Sequence, residues 1–128
     1  MTDEVVTDPG LDGEELHLAS AFYPFNSHST VYETSRLVKS GPGTLFGFCG
    51  YSSRTSAQFI LVFDLAYGIP ANGAVPVIVI AVPASSNFSY SAGSNGRRFE
   101  RGIVLANSST GPTLTIGSAD TFYDAQYV

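Results

Sequence analysis

Charge is scarce in this chain. Asp, Glu, Lys and Arg make up 13% of its 128 residues, about half of the ~25% usual in soluble globular proteins. Nucleic-acid binding needs clustered cations to neutralise phosphates. Only Arg97, Arg98 and Arg101 cluster here, so no nucleic-acid partner is expected. Cysteine occurs once, at Cys49, which excludes an intramolecular disulfide and a cysteine-built zinc site. Cys49 falls within the apolar stretch Leu45–Tyr51 and reads as a small buried hydrophobe. No apolar run approaches the ~20 residues of a membrane-spanning helix, so no membrane partner is expected. The first residues lack a basic segment followed by an apolar one, and the expectation is synthesis in a cytoplasm without a secretory signal.

What the chain does have is apolar residues (44%), 13 glycines and 7 prolines. One domain is the natural count at this length. From residue 34 onward, apolar stretches alternate with turn signals. Strands are expected at Thr34–Lys39, Thr44–Tyr51, Ala57–Leu65, Val75–Val82, Asn87–Ser91, Arg97–Ala106, Thr113–Ile116 and Thr121–Tyr127. Gly41-Pro42-Gly43, Asn72-Gly73 and Asn95-Gly96 punctuate them. Turn signals every ~8–12 residues mark an antiparallel sandwich or barrel. No window carries a helical period. The expected fold is all-β, an antiparallel β-sandwich of about eight strands over residues 33–128, with a jelly roll as one topology that fits.

The acids are unevenly placed. Residues 1–32 carry six (Asp3, Glu4, Asp8, Asp12, Glu14 and Glu15) and no Lys or Arg, whereas residues 33–128 carry five acids and six bases. Residues 1–32 therefore read as an extended acidic N-terminal arm. Its first fifteen residues lack the apolar surface to offset their ordering entropy. Leu16, Leu18, Phe22, Tyr23 and Phe25 are apolar enough to dock on a neighbouring subunit.

A strand in an isolated sandwich should have one apolar face and one polar face. In Val75–Val82 both faces are apolar: Val75, Val77, Val79 and Ala81 on one, Ile78, Ile80 and Val82 (with Pro76) on the other. One of them needs a cover: loops of the same chain, its N-terminal arm, or another subunit. Ile78, Ile80 and Val82 are the expected interface, each able to contribute ~1.5–3 kcal/mol on full burial. A homo-oligomer follows, with a cyclic trimer the favoured number. Arg97, Arg98 and Arg101 read either as a charged edge strand or as pairing groups for acids across subunits.

Catalytic chemistry finds little material. The histidines, His17 and His28, lie in or near the arm and outside any catalytic motif. Asp64, Glu100, Asp120 and Asp124 sit on separate strands or strand ends, and nothing in their spacing pairs them as a glycosidase would require. Asp120 and Asp124 do not match a calcium loop. No phosphate loop precedes a helix. Neither enzymatic activity, nor a cofactor, nor a metal is expected.

The segments LVKSGPGTLFGFCGY (Leu37–Tyr51), AQFILVFD (Ala57–Asp64), IPANGAVPVIVIAVPASSNFSYS (Ile69–Ser91) and RFERGIVLANSSTGPTLTIGSADTFYDAQY (Arg98–Tyr127) resemble small virion structural proteins of tailed bacteriophages. The resemblance implies a compact sandwich made in the host cytoplasm and attached to the capsid surface. The role it implies is that of a capsid decoration (cement) protein, with the major capsid protein or another virion protein as partner. It carries no catalytic residues, and residues 1–32 lie outside it. The alternative is a receptor- or glycan-binding module of a tail or head fibre, using Tyr51, Tyr67, Tyr90 and Tyr123 as stacking surfaces, although Trp is absent.

Overall fold

Val-, Ile- and Phe-rich stretches broken by Gly and Pro leave the chain little choice but sheet. The computed structural model describes residues 24–128, and within them the protein is all-β. Nine strands form in chain order: β1 Phe25–His28, β2 Ser35–Ser40, β3 Gly43–Ser52, β4 Gln58–Asp64, β5 Ile78–Val82, β6 Ser86–Ser91, β7 Arg97–Phe99, β8 Gly102–Ser108 and β9 Thr121–Tyr127. They build two antiparallel sheets packed as a sandwich. The first has the order β1-β9-β3-β6, with β7 also paired to β3; the second has the order β2-β8-β4-β5.

The core lies between the sheets. Strand alternation, shifted by one residue at a bulge between Leu45 and Gly47, delivers Leu45 and Phe48 of β3, Phe88 of β6, Tyr123 and Ala125 of β9, Ile60 and Val62 of β4, and Ile103 and Leu105 of β8 to it. In β2 the register shifts between Leu37 and Lys39, and this bulge turns Val38 into the core while Leu37 stays exposed. One flank is tied by Arg36 of β2. It donates from Nε to Ser27 Oγ of β1 at 2.9 Å and from a terminal nitrogen to Glu33 at 2.8 Å.

The outer face of the second sheet is apolar as well. Leu61, Phe63, Val104 and Ala106 form a second buried cluster there, capped by Leu114. The cap is held by backbone bonds between two connections: Gly73 N–H to Leu114 O (2.8 Å) and Leu114 N–H to Ala74 O (2.9 Å). Thr113–Ile116, expected as a strand, is part of this cap and contributes only an isolated bridge between Ile116 and Ser108. The glycines of both Asn-Gly pairs take positive φ (89° at Gly73, 72° at Gly96), as turns of this type require.

Two boundaries differ from expectation. Arg97–Ala106 is not one strand, because the chain changes sheets at Glu100–Arg101, between β7 and β8. The cause is Asp64 at the end of β4. Its carboxylate accepts the backbone N–H groups of Arg101 (2.8 Å), Glu100 (3.1 Å) and Gly102 (3.3 Å), which fixes the corner. A Cβ at Gly102 would press on the backbone oxygens of Leu65 and Lys39, so the corner needs glycine. Phe25–His28, placed in the arm by composition, pairs with β9 as an edge strand. Residues 1–23 of the expected arm, including Leu16, Leu18, Phe22 and Tyr23, lie outside the described residues.

Candidate functional site

Each expected interface residue has a definite place. Ile78 (8% exposed) and Val82 (1%) are core residues, and Ile80 packs against the same core. This corrects their assignment to a surface. Both faces of Val75–Val82 are indeed apolar, but the face carrying Ile78, Ile80 and Val82 is the one that closes the sandwich. The exposed aliphatic side chains are those of the opposite face: Val75, Val77 and Val79, the last still 45% exposed. Alternation predicts two faces without saying which one points inward.

Val75, Val77 and Val79 belong to a larger uncharged surface. From Leu65 to Gly96 the chain runs for 32 residues without a single Asp, Glu, Lys or Arg. This stretch builds the connection after β4, all of β5 and all of β6. Tyr67 and Ile69 stand exposed on the connection, beside a cavity of about 380 Å³ walled by Phe63, Pro70 and Ala74. Among the described residues, β5 ends the second sheet and has a neighbour on one side only. The charge-free run was legible in the sequence, and it is the signal that identifies this edge.

Arg97, Arg98 and Arg101 are exposed at the opposite end of the charge scale. Arg97 lies over the Phe99 ring at 5.7 Å, and Arg98 approaches Glu100 at 4.0 Å with both side chains largely wet. A solvent-exposed pair of this kind contributes little to stability. Phe25 is exposed and tilts against Tyr127, with ring centroids 5.8 Å apart.

The outer face of the first sheet holds a shallow groove of about 450 Å³. The register sets its rows. His28 faces Asp124, Asp124 faces Cys49, and Cys49 faces Ser89; in the next row Phe122 faces Tyr51 and Tyr51 faces Asn87. Cys49 is therefore exposed and not the buried hydrophobe expected, because the bulge between Leu45 and Gly47 and the inward turn of Phe48 put it on the outer face. Partial burial and the neighbouring Asp124 carboxylate both push its thiol pKa up.

This row resembles a nucleophile with its base only in composition. Activation needs the imidazole beside the sulfur. Here β9 stands between β1 and β3, so His28 and Cys49 are two strand spacings apart, ~9–10 Å. The thiol pKa also moves in the wrong direction for a nucleophile. The three aspartates serve separate places: Asp64 the corner, Asp120 a polar knot with Asn107 and Thr121, Asp124 the groove.

Of the tyrosines expected as stacking surfaces, Tyr123 is 1% exposed and donates its hydroxyl to Thr34 O at 2.9 Å, so it is a core residue. Tyr90 packs against the core and stacks on Phe48. Tyr51 lines the groove and Tyr67 is exposed. Tyr32 and Phe122 were not anticipated there, yet their rings stack at 4.2 Å beside Tyr51. A comparison with protein-family models, with curated proteins and with solved structures found no match for this chain.

Proposed function

We propose that this chain is a non-enzymatic structural protein that associates with a second copy of itself through the uncharged edge built by β5 and the connection before it. The observation that carries the reading is the 32-residue charge-free stretch containing a strand that, among the described residues, is open on one side. In a two-fold contact each patch meets its own image, so any charge near the axis would face a like charge. A surface without charge escapes that penalty. Two β5 strands set antiparallel would continue the second sheet across the axis, and Pro76 and Pro83 limit the pairing to the six residues between them, five of which form β5. Burying the still-wet halves of Val75, Val77 and Val79 would add about 1 kcal/mol apiece. A trimer would need two different complementary patches in place of one.

The resemblance to phage virion proteins supports a setting for such an oligomer: the capsid surface, as a decoration unit bound across capsid subunits. In that setting the major capsid protein is the further partner.

Sedimentation of the full chain tests the self-association. The expected result is a dimer at about 100 µM that Val79→Lys converts to a folded monomer. Because Val79 is exposed, the substitution should leave the thermal transition of the monomer almost unchanged, whereas Val82→Ala should lower it. A wild-type monomer, or a Val79→Lys dimer, would overturn the reading. Mass spectrometry of purified particles checks the virion setting.

A further inference from the structure

We infer that the outer face of the first sheet binds a neutral, polyhydroxylated ligand, a glycan, through the groove at Tyr51, Phe122, Asn87 and Asp124. This surface is distinct from the uncharged edge, and the inference does not rest on self-association.

A solvated sheet face has no need of aromatic side chains, and placing them there leaves apolar area in water. Yet Phe122 and Tyr51 are direct cross-strand neighbours on this face. Tyr32 stacks on Phe122 with ring centroids 4.2 Å apart and planes 17° from parallel, and it remains 41% exposed. The result is a broad aromatic shelf with an open ring face. A sugar ring presents a C–H face that packs on such a shelf, with hydroxyls around its rim.

The hydroxyls need partners, and the groove supplies them. Asn87 offers an amide with donor and acceptor ends, Asp124 a carboxylate acceptor, and His28 an imidazole. All three project from regular strands, which holds them in a fixed spacing. The rim beside β1 is pinned: Ser29 Oγ accepts the backbone N–H of Tyr123 at 2.9 Å, and Ser29 N–H donates to Tyr123 O at 2.8 Å. The groove volume, about 450 Å³, falls in the ~300–1,000 Å³ range of small-molecule sites.

Charge defines the class of ligand. Among the described residues, no Lys or Arg lines the groove, and its one formal charge is the Asp124 carboxylate. Phosphate, sulfate and carboxylate groups would meet repulsion there. An uncharged saccharide meets none.

Titration of the isotope-labelled full chain with uncharged tri- to hexasaccharides of glucose, galactose, mannose and N-acetylglucosamine, followed by NMR, tests the inference. At least one should give saturable shifts confined to β1, the Ser29–Tyr32 segment that follows it, β3, β6 and β9, with Kd below about 1 mM. Tyr51→Ala and Asn87→Ala should each weaken that binding about tenfold while shifts elsewhere stay in place. The bound sugar should also shield Cys49, the only thiol of the chain, from maleimide. Val79→Lys should bind as the wild type does, which separates this site from the oligomer contact. Absence of saturable shifts with every sugar, shifts outside these segments, binding that survives both substitutions, or preference for a sialylated or sulfated analogue would overturn it.

Discussion

Asn107 of β8 donates its side-chain amide to the hydroxyl of Thr121, the first residue of β9, at 3.0 Å, and so ties the second sheet to the first. The same amide reaches Asp120 Oδ1 at 2.9 Å and Ser118 O at 2.7 Å. Gln58 of β4 joins the knot, donating to Ser52 Oγ at 2.7 Å and to Thr121 Oγ1 at 3.2 Å. Gln58, Asn107, Ser52 and Thr121 are all buried. Buried polar atoms are costly when stripped of partners. Asn107→Ala should therefore destabilise the domain by about 2–4 kcal/mol, because it takes one donor each from Ser118 O, Asp120 Oδ1 and Thr121 Oγ1 and empties a buried site. Urea unfolding measures this, and a loss below about 1 kcal/mol would mean the knot does not hold the sheets.

Gly50 in the middle of β3 is a packing requirement. A Cβ there would stand 2.5 Å from Phe88 Cζ and still closer to the Phe122 carbonyl oxygen. Neither backbone nor core ring has room to retreat. Gly50→Ala should cost about 1–3 kcal/mol in chemical denaturation, where strand propensity alone would favour alanine.

Asp64 gives the fold an acid-sensitive corner. Burial works against its charge, but the N–H groups of Arg101, Glu100 and Gly102, with the Arg101 charge, outweigh it and hold the carboxyl below its ordinary pKa. A depressed folded pKa contributes stability that is present above the unfolded value, near ~4, and is lost as pH falls through the folded one. Asp64→Asn should thus be less stable than the wild type at neutral pH by about 1 kcal/mol, a figure kept small because the site is partly wet. The gap should close as pH is lowered through the carboxylate range. Urea midpoints at neutral and acid pH check this; a gap constant with pH would refute it.

The thiol of Cys49 should react slowly although the residue is exposed. Burial and Asp124 both raise its pKa, so less thiolate is present at neutral pH than in a free cysteine. Asp124→Asn removes the second cause and should speed alkylation about two- to fivefold at neutral pH. Iodoacetamide kinetics provide the measurement, and an unchanged rate would show that Asp124 does not act on the thiol.

The strands themselves were readable from the residues. Six of the eight expected segments coincide with observed strands to within a few residues, because apolar alternation and Gly or Pro breaks act locally. Arg97–Ala106 was misread because its break comes from Asp64, more than thirty residues earlier in the chain. Thr113–Ile116 was misread because its apolar residue, Leu114, covers a sheet and does not join one. The strand Phe25–His28 was hidden behind an acidic composition that belongs to the residues before it.

Local composition thus determined that this chain is an all-β sandwich with a long stretch free of charge. Which way each strand faces, and with it the fate of Ile78 and Val82, was decided only in three dimensions. An alternating strand with two apolar faces is symmetric in sequence, and that symmetry breaks only when one face meets the opposite sheet. The same holds for the groove: Tyr51, Phe122, Asn87 and Asp124 come from three strands, and only the pairing of those strands makes them neighbours.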